Sequence, residues 1–340
     1  MGILDWLFGG SDDATGSTVD PAVIDQRIEQ VVQIVNPRLK LVAGYHRKLA
    51  PAVAQAVLYC RELEAQIPSG LDMSAAAWSE NPVLRALFAT AQDVPAVFSR
   101  CAEVQDFFEA SPGADEVWVS LRFRRKEEKC FGVAAQGEVV QHDVAQTSVS
   151  FVEKKVLQPC AQEHDARIEI RRRAFKFLVT QALEQIASVN TRRKDLIEQR
   201  TMLQTRLAIL KGQHAGLESL LNDNSGAVDK IENVERKLAE NEQSLKECPS
   251  AGESIDYIMK RVRSVLTHGS DYLEVRPVRI RLDQMNIMVP EGSRATATEI
   301  LLPEVLVKHV PQVELLVGRF PRSELIPRSS LLDQAQRLLG

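Results

Sequence analysis

Residues 217–234, LESLLNDNSGAVDKIENV, join two stretches that share one rhythm. To the left, Phe175, Val179, Ala182, Ile186, Val189, Arg193, Leu196, Arg200, Leu203, Leu207, Leu210, His214, Leu217 and Leu221 alternate steps of four and three. That is the spacing of a heptad seam. To the right, Ala227, Ile231, Val234, Leu238, Asn241 and Leu245 resume it. Between them NDNSG supplies turn chemistry: Asn and Asp side chains bond their own backbone, and Gly226 accepts a positive φ. Folding the chain about Asn224 sets Leu217 opposite Ile231, Leu210 opposite Leu238 and Leu207 opposite Asn241. The phase survives CPSAG, so that Val189 falls opposite Met259 and Ala182 opposite Leu266.

Residues 159–268 are predicted on this ground as an antiparallel helical hairpin, a coiled coil with its turn near 222–226 and its second arm kinked near Pro249. Its first arm, over 161–222, would be roughly 90 Å long at ~1.5 Å per residue, and the paired part roughly 70 Å. Charge agrees with the pairing. Residues 161–222 carry eleven basic and seven acidic side chains, and 226–248 carry four basic and six acidic ones. Arg193, Arg200 and His214 interrupt the seam. Long side chains that leave a thin two-helix seam for water, and fix its register, account for them.

The flanking segments read differently. Residues 1–19 are a tail rich in Gly, Ser and Asp after a short apolar start. Residues 20–112 form a helical region: Asp20 caps, Pro21 fits the first helical position, and Ile24, Ile28, Val31 and Val35 make a stripe. Asn36–Pro37 breaks it. Helical spacing resumes after Pro51 and ends at Pro68, and two short helices over 81–110 divide near Pro95. At EVWVSLRF the period becomes two, which marks a strand. Residues 113–158 are an antiparallel β segment of three or four strands, with a turn at Gln136–Gly137. YLEVRPVRIRL, NIMV, TEILLPEVLV and VELLVGRF make four more strands in a second β segment, 269–328. The two arms of a hairpin start and end at one base, so this segment is expected beside the first. Residues 329–340 read as a short helix. The fold class is α+β: a helical N-terminal region and a β head split in sequence by the inserted hairpin.

Composition bounds the function. The chain has 340 residues, 44% hydrophobic and 26% charged, with a formal net charge of −4. That balance argues against bulk nucleic-acid binding. Five scattered cysteines, none in a C-x-x-C pair, read as reduced thiols of a cytoplasmic protein. No apolar run reaches the ~20 residues that span a bilayer, and MGILDWLFGG lacks the pattern of a secretion signal. P-loop, G-x-G-x-x-G, G-x-S-x-G and H-E-x-x-H patterns are all missing. None of the six histidines stands at metal-ligand spacing with another histidine or a cysteine. No catalytic residue, cofactor, metal or small-molecule substrate is inferred.

The layout is similar in outline to two families. Membrane-remodelling phage-shock proteins combine an amphipathic start with a helical hairpin but lack β segments, and periplasmic adaptor proteins of efflux pumps set a hairpin between β segments but are exported. Architecture alone does not carry a function, and the chain is assigned to neither. The expectation is a non-enzymatic cytoplasmic scaffold or adaptor, oligomeric, whose hairpin stalk binds a protein partner or itself. Leu178, Leu183, Ile197, Ile209 and Leu220, apolar and off the seam, are the candidate contact stripe. One alternative is nucleic-acid binding through a basic cluster at the hairpin base, Arg171, Arg172 and Arg173. Another is peripheral attachment at the inner face of a membrane through Ile3, Leu4, Trp6, Leu7 and Phe8, which share an apolar start.

Overall fold

The structure, a computed structural model, describes residues 19–136, 139–217, 225–247, 255–290, 292–293, 296–308 and 310–328. It mixes helix and strand, with a curled antiparallel sheet and one long helix between the two sequence segments that build it. The chain divides into two compact units. The first holds residues up to Ala56 and Lys176–His268; the second holds Val57–Phe175 and residues from Gly269 on.

In the first unit, helix α1 (Pro21–Val35) opens as read: the Asp20 side chain accepts the Ala22 N–H at 2.9 Å, and Pro21 stands at the first position. Asn36 ends α1 and caps a 3₁₀ turn, Pro37–Leu41. Helix α2 (Tyr45–Ala65) starts before Pro51 and runs through it, so this proline does not mark the helix start. It removes one backbone donor, a loss the surrounding turns absorb. The unit also holds α6 (Glu163–Leu217) from Lys176 onward, α7 (Ser225–Glu247) and α8 (Ile255–Thr267). Its buried apolar residues include Ile28, Val31 and Val32 of α1, Leu49 and Val53 of α2, and Val262, Val265 and Leu266 of α8. Gln55 Nε2 donates to the Thr267 carbonyl at 3.0 Å. A polar network ties α1 to α2. Glu29 accepts from the Tyr45 hydroxyl at 2.7 Å and from Lys40 at 2.7 Å. His46 lies 3.1 Å from both Asp25 and Glu29.

The second unit is built on six strands: β1 (Leu71–Asp72), β2 (Glu116–Gln136), β3 (Val139–Cys160), β4 (Leu273–Leu282), β5 (Thr298–Val307) and β6 (Val313–Pro321). Their order is β3-β2-β6-β5-β4, antiparallel throughout, with β1 added in parallel to β6. Gly318 permits that addition, because a Cβ there would lie 2.6 Å from the Leu71 carbonyl oxygen. The segments before and after α6–α8 thus share one sheet, joined where β2 pairs with β6 from Glu116↔Pro321 to Phe123↔Glu314. The two edges also meet. Ile287 bridges Ser148 of β3, and Met288 bridges Leu282 of β4, so the sheet curls into a closed ring.

Inside the ring, alternate side chains along Val117–Phe123 of β2, at Ile300 and Leu302 of β5 and at Leu316 and Phe320 of β6 are buried, as the two-residue period requires. Val117, Val119, Leu121 and Phe123 meet Phe151, Ile280, Leu302, Leu316 and Phe320. Three short helices close over them: α3 (Pro82–Leu87), α4 (Asp93–Ser99) and α5 (Ala102–Ala110). They add Leu84, Phe98, Val104 and Phe108 to the core, and Phe98 stacks on Phe320 with ring centroids 4.9 Å apart. Arg167, near the start of α6, donates to Glu64, to Glu163 and to the Pro68 carbonyl at 2.6, 2.9 and 2.7 Å.

Several expectations need correction. Residues 113–158 hold two long strands, not three or four. Bulges between Trp118 and Ser120, Arg122 and Arg124, and Gly132 and Ala134 keep one hairpin continuous through the charged stretch RRKEEK. NIMV supplies only the two bridges that close the ring. Pro95 lies in the first turn of α4, where a missing N–H is harmless, so residues 81–110 give three helices, not two. The helical region 20–112 also contributes β1. The turn at 222–224, the kink near Pro249, the tail 1–18 and the short helix 329–340 lie outside the described residues.

Candidate interaction surface

Between Val189 and Leu210, seven side chains of α6 are partly buried: Val189, Arg193, Leu196, Arg200, Leu203, Leu207 and Leu210. All others in that span are exposed. These seven are the seam positions read from the sequence. On α7 the least exposed residues are Ile231, Val234, Leu238, Asn241, Ser244 and Leu245, which adds only Ser244 to the seam there. The two helices touch. Asn241 Nδ2 donates to the Leu196 carbonyl at 3.1 Å, and Lys211 reaches Glu235 at 2.7 Å. The register differs from the one expected, since Asn241 lies beside Leu196 and Gln199, not opposite Leu207. The midpoint between the end of α6 at Leu217 and the start of α7 at Ser225 falls before Asn224. That carries each α7 residue toward an earlier partner on α6.

The candidate contact stripe does not hold together. Leu178 is fully buried, because this lower part of α6 is covered on more than one face: Phe175, Leu178, Val179 and Ala182 are all buried. Leu183 is half-buried, and Leu220 lies outside the described residues. Ile197 and Ile209 are exposed, at 38% and 55%. At about 100° per residue they stand about 120° apart around the helix, so they belong to different flanks. Met202, 68% exposed, is one heptad before Ile209 and shares its flank. It lines a groove of about 630 Å³ with Leu196, Gln199, Leu203 and Arg206 of α6 and Lys237, Glu240, Asn241 and Ser244 of α7. Sequence reading passed over Met202. The signal was the seven-residue step to Ile209.

Two members of the basic cluster are engaged, while the half-buried Arg171 has its Nε without a hydrogen-bond partner. Arg173 donates to Glu169 and to Gln158 Oε1 at 2.9 Å each, and Arg172 lies 4.0 Å from Glu169. Other clusters are paired alike: Arg124 with Glu153, Lys126 with Glu128, Arg276 with Glu274 and Arg279 with Glu299. Ion pairs of this kind leave less free charge for a phosphate backbone. Ile3, Leu4, Trp6, Leu7 and Phe8 lie outside the described residues. No helix among those described is long and apolar enough to cross a membrane.

One polar cluster escaped sequence reading. At one end of the sheet interior, Glu304 and Glu314 are Cα partners on β5 and β6, and both are buried. Arg125 serves both. Its guanidinium lies 3.1 Å from Glu304 and 3.6 Å from Glu314, and its backbone N–H donates to Glu314 at 2.9 Å. Burial pushes the Glu314 carboxyl above its ordinary range, outweighing the pull of Arg125. Glu29, near the surface of the other unit, is drawn the opposite way. Lys40 and Tyr45, both bonded to it, bring it down to about 2.

A cleft of about 750 Å³ on the sheet unit has Trp78, Arg85, Asp283, Met285 and Asn286 on its walls. Three of these polar groups are committed to its own backbone. Trp78 Nε1 donates to the Phe88 carbonyl, Asn286 Nδ2 donates to the Ala86 carbonyl, and Asp283 accepts the N–H groups of Met285 and Ile287. Among the described residues no cluster of His, Cys, Asp or Glu could hold a metal ion. No protein family, curated protein or solved structure matches the chain.

Proposed function

We propose that this chain is a non-enzymatic scaffold or adaptor, and that α6 and α7 form a coiled-coil hairpin arm for protein association. One observation carries the reading: along Val189–Leu210 the seam is only partly buried and every other side chain is exposed, Met202 and Ile209 among them. A two-helix arm half-buries its own leucines and is stabilised by further helices, as in a four-helix arrangement. The sheet unit supports the non-enzymatic part, since its interior is filled by packed Phe, Leu, Ile and Val. Thiols at Cys60, Cys101, Cys130 and Cys160 suit a cytoplasmic setting.

The test is a paired co-purification with two baits. One is the full chain. In the other, Leu203 is joined to Asn241 by a short NDNSG turn, a cut that shortens both arms at residues lining the same groove. The reading expects an associated protein, or a second copy, to be lost with the shortened bait alone. The same set recovered with both baits would make the arm a mere spacer.

A further inference from the structure

The groove between α6 and α7 has a specific deficiency. Asn241 is only 6% exposed. Its Nδ2 is satisfied by Leu196 and Gln199, while its Oδ1 is buried with no donor. Arg200, on the same stretch of α6, has its Nε buried with no acceptor. Both atoms are shielded within the arm, so this part of the seam is polar and incompletely paired. Around Asn241 the groove offers apolar contact from Leu196, Leu203 and Met202. Ile209 extends the same flank by one heptad.

Charge narrows the choice of occupant. From Ile186 to Leu217, α6 carries six basic and two acidic side chains; α7 carries four basic and six acidic ones. A helix laid on α6 should therefore be acidic and one laid on α7 basic. A second α6–α7 arm meets both demands at matched length. The surface is therefore self-complementary in charge, as a two-fold interface must be.

We propose that the partner of this groove is a second copy of the same chain, its α7 laid on this α6 and its α6 on this α7. A single polar residue in such a seam sets register and the number of helices. The proposal rests on the reading of α6–α7 as an association arm and fixes what it associates with.

The experiment is sedimentation equilibrium on the purified full chain and on a Met202→Glu, Ile209→Glu double variant. Both positions are solvent-exposed, so the variant should keep its far-ultraviolet circular dichroism. The expected result is a two-chain mass for the natural sequence, and association weakened at least about tenfold towards the monomer in the variant, or about 1.4 kcal/mol. A one-chain mass for the natural sequence at about 100 μM, against dimer constants near or below micromolar for specific interfaces, would overturn the proposal. So would a two-chain mass indifferent to the double variant. A monomer that still loses a partner with the shortened arm would leave the association reading standing and refute only the second copy.

Discussion

The interior of the sheet ring and the α6–α7 pair are both held by apolar side chains, yet they use them differently. Phe98, Phe108, Phe123 and Phe320 are each buried to the last few square ångströms, the first two on helices that close over the ring and the last two on strands that pair on both sides. Leu196, Leu203, Leu207 and Leu210 are half-buried, and the residues beside them face water. The first arrangement spends its apolar surface on itself. The second leaves much of it exposed, and in the proposed reading that exposed part is what meets a partner.

Truncation should show the contrast at its largest. Phe320→Ala empties a closed core and is expected to lose about 3–5 kcal/mol of stability. Leu203→Ala removes a side chain already half in water, and about 1–2 kcal/mol is expected from its smaller buried area. Denaturant unfolding of the two variants would measure this, and equal losses would erase the distinction between core and arm.

The polar end of the ring sharpens it further. Arg125→Met leaves Glu304 and Glu314 facing each other without a cation, and removing one member of a buried ion pair typically destabilises by about 3 kcal/mol or slightly more. The loss should shrink as pH is lowered, because a proton can replace the missing charge. A loss that is the same at pH 5 and pH 8 would mean that both carboxylates find other partners.

The two perturbed carboxylates give opposite slopes. Glu314 binds its proton more tightly when folded, so its contribution is fully present below the ordinary value of 4.5 and is lost as pH rises through the raised value. Glu29 is held down to about 2, so its contribution is present above 4.5 and is lost as pH falls towards 2. Glu314→Gln should flatten the fall of stability above pH 4.5, and Glu29→Gln should flatten the fall below it. Unfolding midpoints across pH 2–8 for both variants check the signs. Glu29 stands largely in water, so its effect should be the weaker and should fade with salt.

Much of this contrast was legible in the sequence, for a physical reason. A seam of alternating fours and threes over many turns is over-determined, and each added leucine confirms the same face. The burial of Val189, Leu196, Leu203 and Leu210 against the exposure of their neighbours follows directly from it. The alternation of Val117, Val119, Leu121 and Phe123 was equally clear. What failed depended on distant partners. Leu178 looks like a surface leucine until a second face of α6 is covered. Glu304 sits two positions from Leu302 and four from Ile300, so its inward direction could be read from EILLPE, but nothing local says that Glu314 and Arg125 meet it. RRKEEK shows no apolar alternation, since Lys126, Glu127, Glu128 and Lys129 are all exposed, and only the pairing of β2 with β3 keeps it extended.

The smallest effect on stability should be the most informative about the arm. Ile209→Ala and Ile197→Ala each remove an exposed side chain that the seam does not use, and each should change stability by no more than about 0.5 kcal/mol. Their effects on association should differ. Ile209 shares the flank of Met202 and Asn241, whereas Ile197 stands about 120° away at 100° per residue. Ile209→Ala should therefore weaken the two-chain species in sedimentation while Ile197→Ala leaves it intact. If Ile197 were the sensitive position, the working flank of the arm would be the opposite one.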